Sequence, residues 1–175
     1  MAIRNVVVEG DEILRKKCRE VTEVNDRIRQ TMEDMLETMR DSMGVGIAAP
    51  QVGIMRRMFI AEPEPGRVYY MINPVMLEQS GSQIDNEGCL SVPKLYANVK
   101  RPSRVVLKTQ LLDGSALTAE CGGLLARVLE HELDHLDGIV FVQKAEEEDY
   151  SKIENGVEKL IRKNGPRGFK VKRLV

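Results

Sequence analysis

His131-Glu132-Leu133-Asp134-His135 contains the only two histidines in the 175-residue chain. Side chains four residues apart lie on the same face of a helix, so both imidazoles can bind one metal ion. A divalent metal that takes part in a reaction needs about three protein ligands and one open position. The third ligand must therefore come from another part of the chain, and it cannot be a histidine.

The residues around this pentad predict a helix that is buried over most of its circumference. Glu132 falls within the apolar arc, and an isolated buried carboxylate is unfavourable by several kcal/mol unless it is paired, protonated or close to a cation. A neighbouring metal with bound water would explain its position. Gly122-Gly123 and Gly138 mark the two ends of the helix. The charged side chains share one narrow polar edge, formed by Arg127, Glu130, Asp134 and Asp137.

Composition predicts a single domain that spans residues 1–175. A chain of 19.7 kDa with 42% hydrophobic residues is long enough for one buried core and short for two. Three scattered cysteines argue against a disulfide framework, so a reducing compartment is expected, with the cytoplasm as the default. No signal peptide and no membrane-spanning segment are expected from the pattern, and a net charge of −1 gives no general reason to expect nucleic acid. A monomer is expected.

Hydrophobic periodicity predicts an α+β fold. Asn25 can cap a long N-terminal helix whose apolar positions, from Ile28 to Met43, are expected in the core. Short β-like runs follow at 57–61, 68–77, 104–112 and 117–121, with Asp113-Gly114 as a hairpin turn. Consecutive strands without intervening helices favour antiparallel pairing. We therefore predict antiparallel sheets packed around a central metal-binding helix, with a C-terminal helix at about 147–163.

Two further motifs supply candidate functional groups. The segment 43–53 is rich in small residues and contains Gln51, whose amide could donate to an oxyanion, although a helix end leading into a loop explains its glycines equally well. The segment 87–93 contains Cys89 between a glycine and a turn-like sequence. A thiolate and two imidazoles suit Zn(II) or Fe(II). On pattern alone, Cys18 and Cys121 remain weaker candidates for the third ligand.

Three segments in this order resemble the signature motifs of peptide deformylases: Gly-Val-Gly-Ile-Ala-Ala-Pro-Gln at 44–51, Glu-Gly-Cys-Leu-Ser at 87–91 and His-Glu-Leu-Asp-His-Leu-Asp-Gly at 131–138. The similarity also covers 11–17, the long helix after Asn25, Ile72-Asn73-Pro74 and the C-terminal helix. It implies hydrolysis of the N-formyl group of newly synthesised polypeptides that begin with formylmethionine, releasing formate.

The resemblance also implies a role for individual residues. Cys89, His131 and His135 would bind the metal with water in the fourth position, and Glu132 would act as general base and acid. The oxyanion donors would be Gln51 and the backbone N–H of Leu90. Gly46 would pair with the substrate backbone, while the walls of the methionine pocket would be formed by Val45, Leu124 and Val128. Glu87 would pair with Arg101 and support the cysteine loop.

The family resemblance favours Fe(II) as the native metal, although Zn(II), Ni(II) and Co(II) suit the same ligands. In some members a C-terminal helix contacts the ribosome, and this chain ends in a basic segment, 162–173, that could contact phosphates. A solvated tail that balances the acidic run 146–149 is the alternative.

Two positions depart from the family pattern. Glu130 stands where a glutamine usually precedes the first histidine, and little effect on catalysis is expected because the helical wheel puts it on the polar edge. Tyr96 stands where some members have an arginine, so the substrate contacts beyond the first residue are expected to differ from those of such members.

Two other readings use the same residues. A metallopeptidase would take a downstream glutamate, Glu154 or Glu158, as its third ligand. A purely structural metal site would need a fourth ligand, which only Cys18 or Cys121 could supply.

Overall fold

The computed structural model describes residues 2–175 and contains three α-helices. They are α1 (Asp26–Asp41), α2 (Gly123–Leu136) and α3 (Glu147–Asn164). The side chain of Asn25 accepts a hydrogen bond from the N–H of Ile28, so α1 begins at the predicted cap. None of the described helices is both long and apolar enough to cross a bilayer.

Seven β-strands form two antiparallel sheets. The strands are β1 (Gly46–Ala48), β2 (Met58–Glu64), β3 (Arg67–Ser80), β4 (Gln83–Cys89), β5 (Val92–Arg101), β6 (Arg104–Gln110) and β7 (Ala116–Gly122). The larger sheet has the order β1-β2-β3-β6-β7, and β4 pairs with β5 in a separate hairpin. The predicted α+β class with antiparallel pairing is confirmed.

The helices cover the sheets through three apolar clusters. Helix α1 packs Met32, Met35 and Met39 against β1–β3, as its periodicity predicts. Met43 does not join them: α1 has ended, the residue has φ +56°, and its side chain is 91% exposed. The apolar side of α2 packs on the larger sheet, and α3 packs on the β4–β5 hairpin.

The polar edge of α2 is buried. Arg127 and Glu130 are 3% and 6% exposed. Arg127 donates to the carbonyl oxygens of Gln83 in β4 and Val99 in β5, so the β4–β5 hairpin covers this edge. Glu130 lies on the polar edge of α2, as the helical wheel predicts, and the β4–β5 hairpin buries that edge. Its Oε2 is buried without a hydrogen-bond partner, and burial raises its pKa to about 7.

The segment after α3 is partly docked on the protein. Phe169 and Val171 pack on the cluster between α3 and the β4–β5 hairpin, and the N–H of Leu174 donates to Gln143. Arg173 donates to the carbonyl of Val142 and stacks over a tyrosine ring. The remaining cationic side chains of the basic segment are exposed: Arg162, Lys163, Arg167, Lys170 and Lys172. The segment is therefore a strap on the core with a charged outer side.

Gly138, which follows α2, provides a test of how the N-terminal segment packs on this helix end. Its φ is +75°, and a Cβ there would lie 2.5 Å from the carbonyl oxygen of Arg15. We expect Gly138→Ala to lower the free energy of unfolding by about 2–3 kcal/mol, through backbone strain and the clash together. Gly114→Ala is the control, because Gly114 has φ +85° and no neighbour within 4 Å. Equal losses in urea titrations would contradict the proposed contact.

Candidate metal centre and active site

Cys89, His131 and His135 meet at the junction of β4 and α2. Cys89 is the last residue of β4, and the two histidines lie one turn apart on α2. Their ligand atoms all lie within 4.8 Å of one another, and Cys89 Sγ is 3.4 Å from His135 Nε2. Within residues 2–175 this is the one such group of histidine, cysteine and acidic side chains. The alternative ligands Cys18, Cys121, Glu154 and Glu158 lie outside it.

Glu87 fixes the orientation of His131. Its Oε1 lies 2.9 Å from His131 Nδ1, which leaves Nε2 free to bind a metal. Arg101 donates to both oxygens of Glu87, at 2.6 and 2.9 Å, as the family resemblance implies. Burial alone would raise the pKa of Glu87, but the hydrogen bonds from Arg101 and His131 lower it well below its usual value. The carboxylate therefore stays ionised beside the imidazole.

Two residues that support Glu87 were not recognised in the sequence. Arg127, on the buried edge of α2, donates to the same carboxylate. Asp134 accepts from Arg101 at 2.8 Å and pairs with Lys144. Their positions i−4 and i+3 relative to His131 on α2 were the available signal, because such positions face the same side of a helix.

Gln51 is held with its amide nitrogen towards Cys89. Its Oε1 accepts from the N–H of Ala48 at 2.9 Å, which assigns the other end of the side chain as the donor. Nε2 lies 3.0 Å from Ser91 Oγ and 3.4 Å from Cys89 Sγ. Leu90 lies in the two-residue turn, 90–91, that joins β4 to β5. Both predicted oxyanion donors are thus adjacent to the metal ligands.

Glu132 is buried next to β1 and has an unpartnered oxygen. Only 4% of the residue is exposed, and no described group forms a hydrogen bond with Oε1. Burial raises its pKa to about 7. A Cβ on Gly46 would overlap the Glu132 carboxylate, so the glycine allows the β1 backbone to approach this side chain.

A cleft of about 500 Å³ opens over these groups. The predicted site residues that line it are Val45, Gly46, Gln51, Cys89, Leu90, Leu124, Val128, His131 and Glu132. His135 is the exception, because it lies beneath the cleft with 1% of its surface exposed. Val45 and Leu124 are exposed at the rim, whereas Val128 is buried. The ring of Tyr96 also lines the cleft and lies against Gly88.

The donor set fits a divalent metal. A thiolate and two imidazoles suit Fe(II) or Zn(II), and three protein ligands would leave one coordination position for water. The unpartnered Oε1 of Glu132 supports this fit, since a buried polar atom normally has a partner.

Comparison with known proteins identifies the family. The family model described as polypeptide deformylase matches residues 3–151. The chain belongs to this family. It is 48% identical to peptide deformylase 1 of Clostridium perfringens over 145 residues, covering 81% of the chain and 97% of that protein. It is 44% identical to the peptide deformylase of Acetivibrio thermocellus over 169 residues, covering 94% and 99%.

Solved structures agree with this assignment. The crystal structure of peptide deformylase from Thermus thermophilus matches with a TM-score of 0.87 and 36% identity, covering 93% of this chain and 99% of that one. The Synechococcus elongatus enzyme, solved in complex with actinonin, matches with a TM-score of 0.83 and 33% identity, covering 98% and 91%. The resemblance read from the motifs is confirmed. The chain is a hydrolase that acts on the formyl amide.

Replacement of Cys89 tests the third ligand. We expect Cys89→Ala to purify without tightly bound metal, because two imidazoles alone leave the site one ligand short. Cys121→Ala is the control, since that half-buried thiol lies outside the ligand group. Metal per chain is measured by mass spectrometry after anaerobic purification. A full complement of metal in Cys89→Ala would refute the assignment.

Proposed function

We propose that the chain removes the formyl group from the N-terminal formylmethionine of nascent polypeptides, with a divalent metal bound by Cys89, His131 and His135. One arrangement carries the proposal: three metal-binding side chains converge beside Glu132, whose buried carboxylate has an unpartnered oxygen. Family membership supplies the reaction, and this arrangement supplies the groups that such a hydrolysis requires.

Glu132 acts as the proton carrier. When bound, the metal supplies Lewis acidity that polarises the formyl group and acidifies water. Glu132 accepts the proton of the attacking water and then donates it to the departing amine, which yields formate and a free N-terminus. A buried carboxyl group beside a metal site suits both steps, because burial raises its pKa while a neighbouring cation lowers it.

Gln51 and Leu90 stabilise the charge that develops on the formyl oxygen. The Gln51 amide is already fixed by Ala48 and Ser91, so little reorganisation is needed when the oxyanion forms. The N–H of Leu90 donates from the neighbouring turn. Preorganised donors of this kind stabilise the transition state more than the substrate.

The apolar part of the cleft accepts the methionine side chain. Val45, Leu124 and Val128 offer aliphatic contacts to a flexible thioether chain. Gly46 lies in β1, the edge strand of the larger sheet, and the side of β1 away from β2 would accept the substrate backbone.

Fe(II) is the proposed native metal, with Zn(II), Ni(II) or Co(II) as substitutes that the same donor set accepts. The three cysteines are free, which supports a reducing compartment, and we propose the cytoplasm. The chain is proposed to act as a monomer.

Formate release from formyl-Met-Ala peptides tests the proposed function. We expect hydrolysis of the formylated peptide and none of its acetylated analogue or of internal peptide bonds. Glu132→Gln should retain metal but lose activity by about 10²- to 10⁴-fold, because it cannot accept the proton. Endopeptidase activity would contradict the proposed reaction. An active Glu132→Gln enzyme would contradict only the role of the carboxylate.

The exposed basic side of the C-terminal segment is a proposed ribosome contact. Arg162, Lys163 and Arg167 are exposed, and phosphate contacts from them would weaken with salt. Reversing these three charges to glutamate should reduce co-sedimentation with ribosomes at low salt and leave hydrolysis of short peptides unchanged. Lys108→Glu, on the exposed side of β6, is the control. Unchanged co-sedimentation would remove the segment from ribosome binding.

A further inference from the structure

The N-terminal segment connects the two loops that carry the proposed oxyanion donors. The N–H of Val7 donates to the carbonyl oxygen of Gln51 at 2.7 Å, and the N–H of Glu9 donates to the carbonyl oxygen of Ser91 at 2.8 Å. The Gln51 side chain in turn donates to Ser91 Oγ. The three segments therefore form a closed ring of hydrogen bonds next to Cys89.

A buried ion pair holds this segment in place. Glu9 is fully buried, and its carboxylate accepts from the N–H of Gly10 at 2.9 Å and from Arg15 Nη2 at 2.8 Å. A buried carboxylate without such partners is strongly unfavourable, so the segment is stable only in the geometry that keeps the pair together. Glycine is required at position 10 for two reasons. Its φ is +108°, and the backbone of Ile161 leaves no room for a side chain.

Arg15 connects the pair to the metal-binding helix and to the C-terminal strap. Its guanidinium lies 5.4 Å from the centre of the Phe169 ring, and its carbonyl lies against Gly138 at the end of α2. Through Arg15, the position of the Glu9 carboxylate is thus linked to the end of α2. The backbone N–H of Glu9 donates to the carbonyl oxygen of Ser91 in the turn.

We infer that Glu9 and Arg15 are positioning residues for the reaction, acting through the 7–9 backbone to set the spacing between the Gln51 amide and the N–H of Leu90. The inference rests on the proposed function, in which those two groups are the oxyanion donors. Displacing a preorganised donor by a fraction of an ångström lowers the rate without removing any ligand of the metal.

The chain contains a matched control for the structural effect of such a pair. Asp34 on α1 is 5% exposed and accepts from the N–H of Ala2 and from Arg4. This second ion pair also anchors the N-terminal segment, but neither partner lines the cleft, and the hydrogen bonds of Arg4 and Asp34 run to each other and to Ala2, Gln30 and Thr38. Loss of either pair should lower stability, and only loss of the Glu9 pair should affect the chemical step.

The test compares Glu9→Gln with Asp34→Asn in kcat, KM, metal per chain and melting temperature. We expect kcat of Glu9→Gln to fall by about 10- to 100-fold, with KM within about twofold of wild type and metal retained. Asp34→Asn should lose stability with kcat unchanged. Arg15→Gln removes the other partner of the same ion pair, and this side chain is partly accessible to solvent. It replaces Glu9→Gln in the comparison if Glu9→Gln does not fold.

Gln51→Leu separates failure of this inference from failure of the proposed function. Removal of one oxyanion donor should lower kcat by about 10²- to 10³-fold, and Glu9→Gln added to it should have a smaller effect than alone. The inference would be overturned, and the proposed function would stand, if Gln51→Leu lowered kcat while Glu9→Gln and Arg15→Gln kept the wild-type kcat. The inference would also be overturned if the effects of Glu9→Gln and Gln51→Leu on kcat were fully additive in the double variant. Wild-type kcat in Gln51→Leu would overturn the oxyanion role together with the inference.

Discussion

The buried carboxylate of Glu87 is the interaction on which the site depends. It contacts His131, Arg101 and Arg127, so one anion joins β4, β5 and α2. Each of these groups would be unfavourable in the interior alone, because an unpaired buried charge is strongly destabilising. Together they form a network that is satisfied in one arrangement, and that arrangement directs the free nitrogen of His131 towards Cys89. The geometry of the candidate metal site is thus a consequence of the charge pairing behind it.

The same network determines how the hairpin and the helix pack. Helix α2 packs its apolar side on the larger sheet by ordinary burial, which alone would allow some rotation about the helix axis. The hydrogen bonds from Arg127 to the backbone of β4 and β5 remove that freedom, because they are directional. Apolar packing therefore brings the helix to the sheet, and polar contacts fix the angle at which His131 faces the cleft with His135 beneath it.

Much of the fold and the candidate site could be predicted from local patterns. Three features depend only on residues close together in sequence: the spacing of His131 and His135, the Asn25 cap and the alternation of β6. The structure contains each of them. The order of the motifs, including the one around Cys89, indicated the family. The residue pattern by itself still left Cys18 and Cys121 as possible third metal ligands. Only the convergence of ligand atoms across β4 and α2 separates these cysteines.

What could not be predicted depends on contacts between distant segments. The strand β4 reads Gln-Ile-Asp-Asn-Glu-Gly-Cys, and its polar and glycine residues have poor strand propensity, so it forms through pairing with β5. Periodicity placed Arg127 and Glu130 on a polar edge, but the contacts that bury this edge could not be predicted, because the β4–β5 hairpin lies far away in sequence. Glu9 gave no signal at all, since a glutamate near a chain end is normally exposed.

The packing of Gly10 against Ile161 and Gly165 has a consequence for biosynthesis. The early segment that ties together the loops of Gln51 and Ser91 has its docking surface on α3, which follows every other described helix and strand in the chain. A growing chain can form α1 and the larger sheet first, but Gly10 can dock only after α3 has emerged. An incomplete chain can therefore contain the Glu87 network that orients His131 while the segment beside the loops of Gln51 and Ser91 still lacks its support on α3.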